Sequence, residues 1–167
     1  EASAANVSAM LGDRAKSVHA VGASGLDAIV GLTIPSKEEI CKIYQLDPAL
    51  PLIVFAQHPD TTDARSPLDQ LAPSLTALQS ITGSVLLIGT NADAGGMQMN
   101  EDLQAFPQKR PNTAFFMSMS HAEFLSILGR ADVLVGNSSS GIIEAASFGL
   151  PVINIGDRQK GREQSGN

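Results

Sequence analysis

The chain lacks tryptophan, has a single tyrosine, and only 4% of its 167 residues are aromatic. One cysteine, Cys41, rules out an internal disulfide and any metal site built on paired cysteines. Positive charge is also short. Eleven Lys and Arg face seventeen Asp and Glu, for a net charge of -6, so no basic stripe is available to displace counterions from a nucleic acid. That balance leaves room for a small anionic ligand, because a pocket can be locally positive on an acidic protein. Apolar runs such as Leu50–Ala56 are far too short to span a bilayer. No basic stretch followed by an apolar one marks a secretory signal, so the expected setting is cytoplasmic, with no membrane or nucleic-acid partner. No internal repeat or low-complexity linker interrupts the chain.

Apolar residues account for 43% of the chain, enough in one domain of this length to bury a core. Its ends are unusual. It opens on Glu-Ala-Ser-Ala-Ala-Asn-Val, as if inside a helix, and closes on Gly-Arg-Glu-Gln-Ser-Gly-Asn without a terminal element. We therefore expect residues 1–167 to be part of a longer polypeptide.

Six short apolar runs stand out: Ser17–Val21, Leu52–Gln57, Val85–Gly89, Ala114–Met117, Val133–Gly136 and Val152–Ile155. Few alternate cleanly between apolar and polar, which suits parallel strands covered on both faces. Helical signals separate several of them. Ser36 with Glu39 reads as a capping box opening a helix to Tyr44. Leu68, Leu71, Leu75 and Leu78 keep a helical spacing up to Ile81, and Ser120 with Glu123 opens a helix to Arg130. A short helix over Ile142–Phe148 ends at Gly149, where Pro151 blocks continuation. The pattern predicts an α/β fold: a Rossmann-like, doubly wound parallel sheet of about six strands. Ligands bind such sheets beyond the carboxyl ends of the strands, so the residues following each run are the ones to weigh.

After the second run comes Gln57-His58-Pro59-Asp60-Thr61-Thr62. His58 reads either as an acid, base or phosphate ligand, or as a loop histidine capping the backbone. Asn91 and Asp93, among glycines after the third run, suit ligand hydroxyls or an ordinary tight turn. His121 follows Ser120, which is explained as an N-cap, and is not assigned a catalytic role.

The fifth run delivers Asn137-Ser138-Ser139-Ser140-Gly141 to the start of the next helix. One serine suffices for a cap. Three hydroxyls and a glycine, at a helix end rich in unpaired N–H groups, fit a phosphate. Glu144 has no capping-box partner, since Gly141 lies three residues before it. A carboxylate one turn beyond a phosphate site can accept hydrogen bonds from both ribose hydroxyls. Arg158, Lys160 and Arg162 add cations after the sixth run, suited to a diphosphate or to a solvated loop. No P-loop, G-x-G-x-x-G, Gly-x-Ser-x-Gly or metal-ligand spacing is present, so no metal or other cofactor is expected.

Taken together, Gln57–Thr62, Asn91–Gly96, Gly136–Glu144 and Asn154–Arg162 resemble the hydrolysing UDP-N-acetylglucosamine 2-epimerases. Val21–Asp27 is similar to that family's Gly-x-Pro-Gly-Leu-Asp segment, with Ser24 where proline is common. Asp60 and Thr90 likewise replace the family's usual valine and proline.

The resemblance implies a GT-B architecture of two Rossmann-like domains, this chain being most of the C-terminal, UDP-binding one. It implies that Ser138 and Ser139 hold the diphosphate and Glu144 the ribose. It also implies that Asn91, Asp93 and Arg158 line the nucleotide-sugar site, and that His58 is the residue nearest the chemistry. The implied reaction eliminates UDP from UDP-N-acetylglucosamine and hydrates the glycal to N-acetylmannosamine, as in sialic acid biosynthesis. The carboxylates of that chemistry belong to an N-terminal domain, so this chain alone should bind UDP and catalyse nothing. The complete enzyme is expected to be a homo-oligomer. Two other readings share the motifs: the donor-binding half of a GT-B glycosyltransferase, and a non-catalytic nucleotide-sugar-binding module.

Overall fold

The protein was analysed as a computed structural model that describes residues 2–164 and 166. Among these residues five strands form one sheet: β1 (Leu52–Ala56), β2 (Ser84–Ile88), β3 (Thr113–Phe116), β4 (Val133–Gly136) and β5 (Val152–Asn154). Every pairing is parallel and the spatial order is β3-β2-β1-β4-β5. The chain thus starts mid-sheet, winds outward to β3, then crosses back to lay β4 on the other side of β1. That reversal opens a crevice beyond the carboxyl ends of β1 and β4, where doubly wound sheets bind ligands.

Among the described residues six α-helices accompany the sheet: α1 (Ala2–Leu11), α2 (Lys37–Tyr44), α3 (Pro67–Ser80), α4 (Gly96–Ala105), α5 (His121–Leu128) and α6 (Ser140–Ile143). Local chemistry sets their ends. The Ser36 hydroxyl accepts from Glu39 N–H at 3.2 Å while Glu39 Oε2 accepts from Ser36 N–H at 2.8 Å, completing the expected capping box. Ser66 caps α3 ahead of Pro67, a residue whose fixed φ suits the first helical position. The short helix expected over Ile142–Phe148 is divided: α6 gives way to a 3-10 turn at Ala145–Phe148, which Gly149 ends at φ 61°.

All five residues of β1 are buried, as a strand with helices on both faces requires. Leu52, Val54 and Ala56 pack with Ile40, Tyr44, Ile127 and Leu128 from α2 and α5. Ile53 and Phe55 face Leu71, Leu78, Met99 and Leu103 from α3 and α4. Each buried Leu, Ile, Val, Phe or Met side chain among them contributes about 1.5–3 kcal/mol.

Two further elements differ from expectation. Ser17–Val21 is not a strand: Ser17 ends a 3-10 turn, the segment joins no strand among the described residues, and Val21 is 83% exposed. An apolar run without a ladder partner among the described residues does not become a strand. Helix α4 was not anticipated, although Met99, Leu103 and Phe106 carry a helical four-and-three spacing and all are buried. No helix among the described residues is long and apolar enough to cross a membrane.

Candidate active site

Beyond β1, the buried Gln57 anchors the chain to α3: its Nε2 donates to Gln70 O at 2.9 Å and its Oε1 accepts from Ser74 Oγ at 2.6 Å. His58 follows, and the Asn137 side chain clamps its backbone from both sides. Asn137 Oδ1 accepts from His58 N–H at 2.7 Å and Asn137 Nδ2 donates to His58 O at 2.8 Å. The imidazole then meets the loop after β2, where its Nδ1 accepts from Asn91 N–H at 3.1 Å. An acceptor nitrogen carries no proton, so the neutral ring holds its hydrogen on Nε2. Burial pushes the His58 pKa below the usual histidine value, the Arg158 cation pushes it the same way, and Asp93 opposes them.

Asn91 and Asp93 do form a turn, with Asn91 Nδ2 donating to Asp93 Oδ2 at 2.6 Å. The same oxygen accepts from Arg158 Nη2 at 3.2 Å, across sixty-five positions of sequence. Arg158 Nη1 also reaches Asn137 O at 3.3 Å, and buried Gln159 donates to that carbonyl at 2.7 Å. The fold therefore brings His58, Asn91, Asp93 and Arg158 into one hydrogen-bonded group at the β1–β4 switch point, with Asn137 at its centre. Arg158 turns inward, whereas Lys160 and Arg162 remain exposed. Thr61, Thr62, Asp93, Arg158 and Arg162 border a groove of about 390 Å³. A larger cavity of about 920 Å³ lies between the N-terminal segment and Ile142 and Ile143, and it touches none of these polar groups except Arg162.

The serines occupy the turn beside this group. Ser138 Oγ accepts from Ser140 N–H at 3.4 Å, and Ser139 sits at the N-cap of α6 without a side-chain cap bond. The capping role considered for these serines is thus not filled by Ser139, whose hydroxyl bonds to no described residue. Glu144 lies on the far side of the turn with a side chain 14% exposed. Its Oε1 is 3.8 Å from His121 Nε2, while Oε2 is buried and accepts no hydrogen bond among the described residues. Gly25 backs onto this carboxylate closely enough that a Cβ there would lie 3.9 Å from Oε1.

The sequence leaves Asn137 as one polar residue of its motif and gives His121 no catalytic role; the structure sets the Asn137 amide against the His58 backbone and His121 Nε2 3.8 Å from Glu144 Oε1. The signal for Asn137 was its place directly after an apolar run on the central part of the sheet. Among the described residues no three His, Cys, Asp or Glu side chains converge as metal ligands.

A doubly wound parallel sheet with a polar group at its switch point, beside a carboxylate with one buried oxygen that accepts no hydrogen bond among the described residues, defines a Rossmann-like domain. More narrowly, the chain belongs to the UDP-N-acetylglucosamine 2-epimerase family, whose model matches residues 1–167. It is 33% identical over 157 residues to a hydrolysing UDP-N,N'-diacetylbacillosamine 2-epimerase of Legionella pneumophila, covering 94% of this chain and 41% of that protein. A GDP/UDP-N,N'-diacetylbacillosamine 2-epimerase of Campylobacter jejuni is 32% identical over 159 residues, with the same coverage. The chain thus spans well under half the length of these relatives. The structure of UDP-GlcNAc 2-epimerase from Neisseria meningitidis bound to UDP-GlcNAc superposes with a TM-score of 0.63 at 14% identity, over 86% of this chain and 39% of that one. This likeness shows the shared α/β fold.

Proposed function

We propose that this chain is the C-terminal, UDP-binding domain of a hydrolysing 2-epimerase that converts UDP-N-acetylglucosamine and water to N-acetylmannosamine and UDP. The observation that carries the reading is the Glu144 carboxylate. A buried carboxylate oxygen without a hydrogen-bond donor is costly, and two vicinal ribose hydroxyls supply the donors it lacks. The neighbouring Ser138 and Ser139 then offer their hydroxyls to the diphosphate. Arg158 exchanges Asp93 for a phosphate oxygen, a trade that keeps its charge paired.

In this scheme the chain manages the leaving group. A base removes the C2 proton of the sugar as the C1–O bond breaks, and UDP departs with that electron pair to leave a glycal. His58 Nε2–H donates a hydrogen bond to the departing diphosphate in this reading. Water then adds at C1 and a proton at the opposite face of C2. The groups acting at C2 belong to the other domain of the proposed enzyme. The names of the bacillosamine-type relatives make a UDP-2,4-diacetamido sugar the competing substrate.

Two measurements test the reading. Calorimetric titration of UDP should show affinity falling about tenfold or more in Glu144→Ala, as expected for losing a charge-assisted hydrogen bond. Unchanged affinity in a folded variant would remove Glu144 from the ribose site. The complete polypeptide, given UDP-N-acetylglucosamine, should release UDP with N-acetylmannosamine. Recovery of N-acetylglucosamine or intact UDP-N-acetylmannosamine would refute a hydrolysing epimerase, and turnover of only the 2,4-diacetamido sugar would reassign the substrate.

A further inference from the structure

We propose that Asn137 is a positioning residue that fixes His58 and Arg158 together and thereby selects the His58 tautomer. The geometry stands on its own; its importance for catalysis rests on the functional reading above.

Asn137 is the first residue beyond β4 and is 4% exposed. Its backbone N–H donates to Ala56 O at 3.1 Å, extending the β1–β4 ladder by one step past the Ala56–Gly136 pair. At the next step the side chain takes over from the backbone. Its amide offers one acceptor and one donor in a single plane, as a peptide group does, and binds both His58 N–H and His58 O. The ladder is in effect prolonged to His58 by a side chain, just where the two strands part.

The Asn137 carbonyl does the rest, accepting from Arg158 and from buried Gln159. One residue therefore ties the loop after β1 to the loop after β5. With its backbone held, His58 meets Asn91 N–H through Nδ1, and the proton is left on Nε2. No substitution reproduces this pair of bonds. Aspartate keeps the acceptor but sets a carboxylate oxygen against His58 O; alanine loses both groups; glutamine is one methylene too long.

The test is imidazole nitrogen NMR on the unliganded chain with labelled histidine. Only three histidines occur, and a His58→Gln variant assigns the signals. At a pH above the histidine range, wild-type His58 should show one acceptor-type nitrogen at Nδ1 and one N–H-type nitrogen at Nε2. In Asn137→Asp and Asn137→Ala the two signals should move toward each other as the tautomers mix. Unchanged His58 signals in either folded variant would overturn the proposal. Should both variants fail to fold, the wild type still decides: a coupling across the hydrogen bond from the Asn137 side-chain amide to the His58 carbonyl carbon is expected, and its absence would overturn the proposal as well. None of these readouts requires nucleotide binding. Failure of the chain to bind UDP would count against the proposed function, whereas the nitrogen signals alone judge the positioning role.

Discussion

Gly136→Ala is the substitution to which this architecture should be most sensitive. Gly136 is the last residue of β4 and sits at φ 144°, a conformation side-chain-bearing residues rarely adopt. A Cβ there would lie 2.0 Å from Ala56 O and 2.5 Å from Ala56 C. The obstacle is backbone of the neighbouring strand, so no rotamer change relieves it. Moving β4 away from β1 by about an ångström breaks the Asn137 N–H bond to Ala56 O and draws the Asn137 amide off His58. Two to three lost hydrogen bonds at about 1 kcal/mol each, with backbone strain of about 1–2 kcal/mol, predict a loss of roughly 3–5 kcal/mol. At roughly 2–4 °C per kcal/mol for a chain of this size, the melting temperature should drop by about 10 °C. Urea unfolding followed by circular dichroism measures the energy, and calorimetry on the folded fraction measures UDP affinity, which should also weaken. A variant within about 0.5 kcal/mol of the wild type, inside the range of neutral surface changes, would show that the β1–β4 contact does not have the described geometry.

Other substitutions separate the scaffold from the site. Arg110 is 7% exposed and donates to the carbonyls of Leu78, Ile81 and Gly83 at 2.8–2.9 Å, with no carboxylate partner among the described residues. Arg110→Ala should therefore cost roughly 3 kcal/mol or more in urea unfolding, through carbonyls left without donors, while UDP affinity stays within about twofold. A large affinity loss would mean that the far end of α3 is coupled to the site. Tyr44 Oη donates to Glu123 Oε1 at 2.7 Å, tying α2 to the first turn of α5. Tyr44→Phe should lower stability by about 1 kcal/mol in the same assay, and a neutral result would make that bond dispensable. His58 supplies a pH signature. Its folded pKa lies below the ordinary value, so between about pH 6.5 and that lowered value the unfolded chain binds a proton the native state resists. His58 thus favours the native state above about pH 6.5, and stability falls as pH drops through the window and levels off beneath it. Urea midpoints at several pH values should decline less steeply in His58→Gln than in the wild type, and parallel slopes would refute the desolvated, neutral imidazole.

What the sequence reveals and what it withholds divide along the distance over which a residue finds its partner. The Ser36–Glu39 box is legible because both partners lie within one helical turn, and the structure closes it as expected. Ser120 and Glu123 look the same in sequence, yet only half of the box forms: Glu123 N–H reaches Ser120 Oγ, while the Glu123 carboxylate goes to Tyr44, seventy-nine positions away. Strands follow the same rule. Leu52–Ala56 and Ser17–Val21 are both apolar runs, but only the first has neighbours on each side and helices on both faces. Nothing local distinguishes them, because pairing and burial are properties of the assembled sheet. In the candidate site, His58, Asn91, Asp93, Glu144 and Arg158 are legible as candidates from their places after apolar runs. Their connections are not. Asp93 pairs with Arg158, and Asn137 holds His58, only because the chain reverses its winding between β3 and β4 and brings four strand ends to one crevice. The topology therefore does for the site what spacing does for a helix cap: it decides which of several competent polar residues face one another. A substitution at the switch point, where few atoms separate β1 from β4, should accordingly disturb more of the site than one at any single ligand-facing side chain.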